Sequence, residues 1–600
     1  MSRILFHSLL AGCSLADSAL TGAILTVNTT ATSREPDQTL SLVEAILVVN
    51  GVRSARAALT EAERAQIRGE PGGGDRIEFA IPGDDVHLIA LPEKGLPSIN
   101  RSGTVIDGFS QPGTKPNDAG IHEPNNAVLR IVIDGRNGQV NSEQDLLTIK
   151  GNDVVVRGLS FLSTFDTTVY GINFRDQATG GQVSGCWVGV HPDGGTVSGG
   201  EIGIGVCCGT GGGHVIGTNG DGVDDRAEFN VIVGQNVSTI VEEASGVRIS
   251  GNFIGLMPDG LSLPPGPAMA RVIEGDAIEG AFADDLLVGT NGDGIGDADE
   301  GNVIGGMGNE VIEFWDGAND GFVFAGNYVG VGIDGTTPLG NQKFMRVSGV
   351  RARIGTNFDG VSDELESNIL AHHQDALFEY RSDRLFLNVR GNQMFENLEP
   401  IFSEVGTSFF GTSVGDADRA LFPRLLPGTS GDRLVAEVPL SDEAGIGPAE
   451  LDLYLADAGT LGISPQGATF LGRFTDNGPG DRDDRKRQMD VSLSELRFPF
   501  TGPAHYVALS FIAEAGEDGK FSVSDVSDPF EVMITATPEA AVPPLSIAID
   551  RHDAGALTLT YQGILESADR VEGPWTRVES ASPHAVPPEA PQQFFRVVAP

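Results

Sequence analysis

Ile216-Gly-Thr-Asn-Gly-Asp-Gly-Val-Asp-Asp225 returns as Val288-Gly-Thr-Asn-Gly-Asp-Gly-Ile-Gly-Asp297 and again as Ile354-Gly-Thr-Asn-Phe-Asp-Gly-Val-Ser-Asp363. Each copy is followed by a Glu and, two residues on, an Asn: Glu228 and Asn230, Glu300 and Asn302, Glu366 and Asn368. A second phrase interleaves with the first. It reads Gly185-Cys-Trp-Val-Gly189, Gly251-Asn-Phe-Ile-Gly255, Gly326-Asn-Tyr-Val-Gly330 and, in decayed form, Gly391-Asn-Gln-Met394. Two phrases alternating at a near-fixed period mark a repeat architecture. The spacing is 72 and 66 residues in the first series and 66, 75 and 65 in the second. Division by three predicts coils of about 22 to 25 residues, each with three short strands and three turns.

The surrounding chain supports a solenoid of strands. From Asp75 to about Asn397, short β-branched runs such as Arg76-Ile-Glu-Phe-Ala-Ile81, Leu129–Ile133 and Gly246–Ser250 are broken by Gly, Asn and Asp. None reaches helical length, which favours an all-β right-handed parallel β-helix over 75–405. Residues 24–74 read as an N-terminal cap. Ile24–Asn28 alternate as a strand, and Ser41 to Gly69 reads as helix opened by a Ser41/Glu44 capping box. A helix there would cover the open end that every solenoid must close. After Asn397 the period stops. Leu451–Leu455, Ala468–Arg473 and Tyr506–Ala513 alternate like strands of a small β-sandwich over 415–535. Thr537-Pro-Glu-Ala-Ala-Val-Pro-Pro544 marks a linker at 536–545, and 546–600 reads as a second small sandwich with Trp575 in its core.

Composition narrows the partners. The net charge of −44 excludes nucleic acid and anionic membrane surfaces, because like charge repels phosphate, and it favours cations. The 81 glycines carry no Gly-X-Y period, which excludes collagen. No internal stretch has the apolar length of a membrane span. Met1-Ser-Arg3 followed by apolar Ile4–Ala11 and small residues reads as a secretory signal over 1–23. Within it Leu10-Ala-Gly-Cys13 resembles a lipobox in which Cys13 would carry lipid; an incidental Cys13 in a cleaved signal is the alternative. Cys186, Cys207 and Cys208 are too few for a disulfide framework. One disulfide between neighbouring coils and buried free thiols both fit their spacing.

The repeated phrase carries the candidate chemistry. Aligned on the central Gly222, Gly294 and Gly360, oxygen-bearing side chains fall at fixed offsets. They are Asn219, Asp221, Asp225 and Glu228; Asn291, Asp293, Asp297 and Glu300; and Asn357, Asp359, Asp363 and Glu366. These offsets match positions 3, 5, 9 and 12 of an EF-hand-type loop, with Gly217, Gly289 and Gly355 replacing its first acid. Hard oxygen donors around a glycine turn suit calcium. A turn held by Asn and Asp bonding the local backbone is the plainer reading, but it gives no reason for the Glu.

Catalytic patterns are sparse. Asp284-Asp285 reads as a solvated turn, since neighbours on a strand face opposite ways. Gly213-His-Val lacks the second glycine of a Gly-His-Gly pattern. The recurring aromatics Trp187, Phe253 and Tyr328 read as interior stacking, with a sugar-binding stripe as the alternative.

Several stretches together resemble one family, exported bacterial right-handed β-helix proteins that open with a CSLREA domain. The residues are Leu25-Thr-Val-Asn28 with Thr39-Leu-Ser-Leu-Val-Glu-Ala-Ile46, then Thr104–Gly113, Val156-Arg-Gly-Leu159 and the three Gly-Thr-Asn copies. Leu453-Tyr-Leu-Ala-Asp457 and Asp525–Phe530 continue the match. Leu40 stands where the family has Cys and Val43 where it has Arg. Ile564–Asp569 through Arg596 resembles a fibronectin-like module. The resemblance implies architecture over residues 24–600 and says little of activity. The expectation is a monomeric, secreted or cell-surface, non-catalytic adhesin or scaffold, stiffened by calcium and meeting an extracellular glycan or surface protein. A polysaccharide lyase or glycoside hydrolase with a groove along the β-helix is the alternative.

Overall fold

A computed structural model describes residues 22–399, apart from 93–94, 137–144, 164–169, 199–201, 208, 210, 235–236, 266–274, 317–318, 348–349 and 381–385. Between 423 and 598 it describes chiefly the strands. Residues 1–21 of the expected signal segment, Cys208, the 536–545 linker and Trp575 lie outside the described residues.

The chain is a parallel β-helix. Its strands stack into three sheets of twelve, ten and eight strands, and from Val105 onward each coil contributes one strand to each sheet in turn. The stacking is held by burial. Along the twelve-stranded sheet, Ile106, Val156, Val183, Ile216, Ile249, Val288, Phe324, Ile354 and Val389 pair rung by rung, and all are buried. Each such side chain contributes about 1.5–3 kcal/mol relative to exposure. Over the last coils, aromatics fill the interior. Phe314 meets Phe322 edge-on at 5.0 Å, and Phe344 meets Phe324 and Phe378 at 5.1 and 5.4 Å.

The coils are longer than the sequence period predicts. Val155 pairs with Gln182, 27 residues on; Val215 pairs with Arg248, 33 on; Arg248 pairs with Leu287, 39 on. The repeat of roughly 70 residues therefore spans two coils, and the two phrases are alternate versions of one corner. The long version runs from Gly217 to Asn230. The short one, Gly251-Asn252, turns in two residues.

Both versions deliver an Asn to the same rung. Asn230, Asn252, Asn302, Asn327, Asn368 and Asn392 form a buried ladder, each Nδ2 donating to the next Oδ1 at 2.8–3.1 Å. The backbone N–H of each of the middle four also donates to the next Oδ1. Each Nδ2 further donates to a carbonyl of the preceding coil, as Asn302 does to Ile249 at 2.9 Å. A buried amide satisfied on both ends offsets the cost of its desolvation. Cys186 occupies this position in the preceding corner, and its N–H donates to Asn230 Oδ1.

At the N-terminal end, Ile24–Val27 joins the twelve-stranded sheet in parallel, and Ile67–Arg68 closes its edge antiparallel. The predicted single helix is three short ones: α1 (Leu42–Val49), α2 (Arg53–Ala58) and α3 (Glu61–Arg64). Gly51, at φ +75, ends the first. A second capping box, Thr60 with Glu63, starts the third. The Ser41/Glu44 box is present as expected, and α1 packs its apolar face into the core.

The chain divides into two compact units. The first comprises Met1–Thr429, Leu434–Val491 and His505–Glu531. The strands expected to form a separate module at 415–535 are thus largely part of the β-helical unit. Tyr454, Val507 and Leu509 belong to the same core cluster as the coils, and Asn397 Nδ2 donates to Gln466 Oε1 at 2.9 Å. Sheet strands Glu450–Ala456 and Gly467–Thr475 pair antiparallel and seal the last coil as its cap. The second unit comprises Ser430–Arg433, Ser492–Ala504 and Val532–Pro600. Its strands between 546 and 598 form two three-stranded antiparallel sheets. Among the described residues, no helix is long and apolar enough to cross a membrane.

Candidate functional site

The three long corners fold alike, and their side chains hold them shut. In the first, Asn219 Oδ1 accepts from the Asp221 N–H, Asp221 Oδ1 from the Val223 N–H, and Asp225 Oδ2 from the Gly222 N–H, at 2.8–3.0 Å. The second and third corners repeat these bonds through Asn291, Asp293 and Asp297, and through Asn357, Asp359 and Asp363. The recurring Glu also has a structural task. Glu228, Glu300 and Glu366 each accept the N–H of the corner's Asn at 2.8–3.1 Å. Glu300 and Glu366 are fully buried and pair with Arg248 at 2.6 Å and Arg353 at 2.9 Å, while Glu228 takes Gln182 Nε2 instead. Burial pushes all three carboxyls up.

The first glycine of each corner is dictated by contact. A Cβ on Gly217 would stand 1.8 Å from the Ser250 carbonyl, on Gly289 1.8 Å from Ala325 O, and on Gly355 2.0 Å from Arg390 O. No acid could occupy that position. The corners also stack on one another: Glu300 lies under Gly220, Glu366 under Gly292, and Arg226 reaches Asp299 at 2.8 Å. Beside them a cleft of about 100 Å³ is lined by His122, Asp297, Glu364 and Tyr328, with the His122 and Tyr328 rings stacked at 4.2 Å. That volume is below the roughly 300 Å³ at which small-molecule pockets begin. Trp187 and Phe253 are buried, as the interior reading expects. Asp284 and Asp285 sit in an exposed turn, with Asp285 at φ +54.

Among the described residues, one acidic group brings three side chains together, and the sequence patterns do not mark it. Asp276, Glu279 and Glu313 offer carboxylate oxygens that all lie within 4.8 Å of one another. They sit on neighbouring strands of the eight-stranded sheet, where Glu279 pairs with Glu313 in register. The next strand places Lys343 beside Glu310 and Arg346 beside Glu313. Glu310 is fully buried. Its Oε1 faces Arg346 at 3.3 Å and Lys343 at 3.5 Å, and both cations also serve Glu379. Burial drives the Asp276 carboxyl well above the ordinary range, and Glu279 and Glu313 rise for the same reason. Of the three thiols expected to pair or stay free, Cys186 is free and buried, and Cys207 is buried with its Sγ against the Tyr170 hydroxyl and Asn173 Oδ1. Burial pushes the Cys186 thiol up to about 12, so it is inert.

No family model and no curated protein matches the chain. Among solved structures it is similar to the tailspike protein 2 enzymatically active domain of bacteriophage CBA120, at 10% identity and TM-score 0.27, over 81% of this chain and 70% of that one. It is also similar to the Dettilon tailspike protein, at 12% identity and TM-score 0.21, over 81% and 83%. Similarity at that level says nothing of activity. The class is defined by the chain's own pairings: a parallel β-helix closed by an α-helical cap and a β-sheet cap.

Proposed function

We propose that this protein is an exported, non-catalytic β-helical scaffold or adhesin that holds a long fixed surface against an extracellular glycan or surface protein. The observation that carries the reading is the unbroken Asn ladder, six rungs deep, inside three continuous parallel sheets. Such a stack resists bending, because sliding one coil breaks every amide bond on its rung. The surface it carries is strongly acidic, which suits cation-rich surroundings and repels nucleic acid. Export rests on the Met1–Ala23 sequence.

The test is a panel of neutral and acidic polysaccharides incubated with the full chain. Co-sedimentation without new reducing ends or unsaturated products is expected. Cleavage of any member would overturn the reading in favour of a lyase or hydrolase.

A further inference from the structure

We propose that Phe282 and Trp315 form an aromatic platform for an amine-bearing polysaccharide, whose protonated amines are held by the carboxylates around the two rings. The platform rests on the scaffold reading and names the glycan class that the scaffold's surface meets.

Among the described residues, Phe282 and Trp315 are the only Phe or Trp side chains that are exposed, at 50% and 47%. Both fall at one place on the fold. Ala281, the neighbour of Phe282, pairs with Asp316, the neighbour of Trp315. The two rings therefore stand on successive coils, whose strands lie about 4.8 Å apart.

Both positions are unusual for an exposed ring. The register steps from Gly280 opposite Phe314 to Ala281 opposite Asp316, so Trp315 is the extra residue of a bulge. Bulges re-aim a side chain. Phe282 holds φ +51, in the left-handed region that bulky residues rarely adopt. A glycine or asparagine would turn the chain there with less strain. A strained, solvent-facing ring beside a second exposed ring points to a contact outside the chain.

The charge around the rings selects the partner. Glu243 lies beside Phe282 on the preceding coil, where its N–H donates to Ala281 O at 2.9 Å. Asp284 and Asp285 follow Phe282, and Asp320 joins from the next coil, donating its N–H to Asp284 Oδ1 at 3.0 Å. All four acids are exposed, and among the described residues none is in an ion pair. The apolar face of a sugar ring lies flat on an aromatic ring. An ammonium group is drawn both to the electron-rich ring face and to the carboxylates. A neutral sugar uses the rings alone, and a uronate or sulfated sugar is repelled.

The test titrates the full chain calorimetrically with a soluble glucosamine oligomer, at mildly acidic pH where its amines are protonated. Saturable binding is expected, at least ten-fold tighter than that of the N-acetylated oligomer, with none for polygalacturonate. Trp315→Ala and Phe282→Gly should each weaken binding at least five-fold, although neither changes the net charge. Phe282→Gly removes the strain, so it should keep the parent's melting midpoint while binding falls. The control Val223→Ala/Ile295→Ala, an exposed apolar pair elsewhere, should bind as the parent does. No binding by the parent overturns the platform. So does parent-like binding by the Trp315→Ala and Phe282→Gly variants, which would leave only attraction between opposite charges. Tighter binding of a lysine oligomer that depends on the same two rings overturns the sugar in favour of a basic protein. None of these outcomes touches the scaffold reading, which falls only if a polysaccharide is cleaved.

Discussion

Asn252 donates its Nδ2 hydrogen to Asn302 Oδ1 at 2.9 Å, and its own backbone N–H donates to the same oxygen at 3.0 Å. Fifty residues of chain separate the two, yet they occupy successive rungs of one ladder. Asn302→Ala removes that acceptor, leaves the buried Asn252 N–H without a partner, reduces Asn252 Nδ2 to the Ile216 and Ser250 carbonyls, and takes away the donor to Asn327 Oδ1. Each orphaned group costs about 1–3 kcal/mol. The expected result is a loss of about 3 kcal/mol or more in urea unfolding followed by circular dichroism.

Gly217 and Gly194 separate two causes of glycine dependence. Both have positive φ, +98 and +69, but a Cβ on Gly194 would meet nothing within 4 Å. Gly194→Ala should cost about 1–2 kcal/mol, the left-handed penalty alone. Gly217→Ala adds a collision with Ser250 O and should abolish soluble expression or lower the melting midpoint far more. Equal effects would show that backbone conformation, not coil contact, selects the glycine.

Arg473 grips Asp452 with two bonds, Nε to Oδ1 at 2.5 Å and a second from its other end to Oδ2 at 2.8 Å. Asp452 is fully buried in the C-terminal cap. Arg473→Met leaves that charge unpaired and should destabilise by about 3–5 kcal/mol. The paired change Asp452→Asn/Arg473→Met should recover part of the loss, read by comparing denaturation midpoints.

His373 is buried between Phe344 and Asn397, and burial lowers its pKa to about 4 from an ordinary 6.5. As pH falls from 6.5 toward 4, the unfolded chain takes up a proton that the folded chain does not. Folding stability therefore falls across that window, by on the order of 3 kcal/mol for this group, and the loss levels off below pH 4. His373→Gln should flatten that part of the stability–pH curve.

Much of the molecule is legible in particular residues. The Gly-Thr-Asn copies announce a solenoid, Ser41 and Glu44 announce the first cap helix, and the Asn after each Glu is the ladder itself. The coil length was misjudged because the written period covers two coils. Alternate corners of different length obey the same rung geometry, so identical phrases return only at every second turn. The Glu of each copy takes a partner outside the repeated phrase: Gln182 for Glu228, Arg248 for Glu300 and Arg353 for Glu366.

The amino-acid sequence by itself determined the β-helix and the turns of its corners, because a turn is a local consequence of backbone freedom and side-chain reach; the first glycine of each long corner is set instead by contact with the next coil. Only the tertiary structure decided which residues share a rung. Asp276 and Glu313 lie 37 residues apart with no motif around either, and Tyr454 joins the core from beyond the last coil. Their meeting depends on strand register and on the lengths of the intervening corners. Those are set by how buried faces stack from coil to coil.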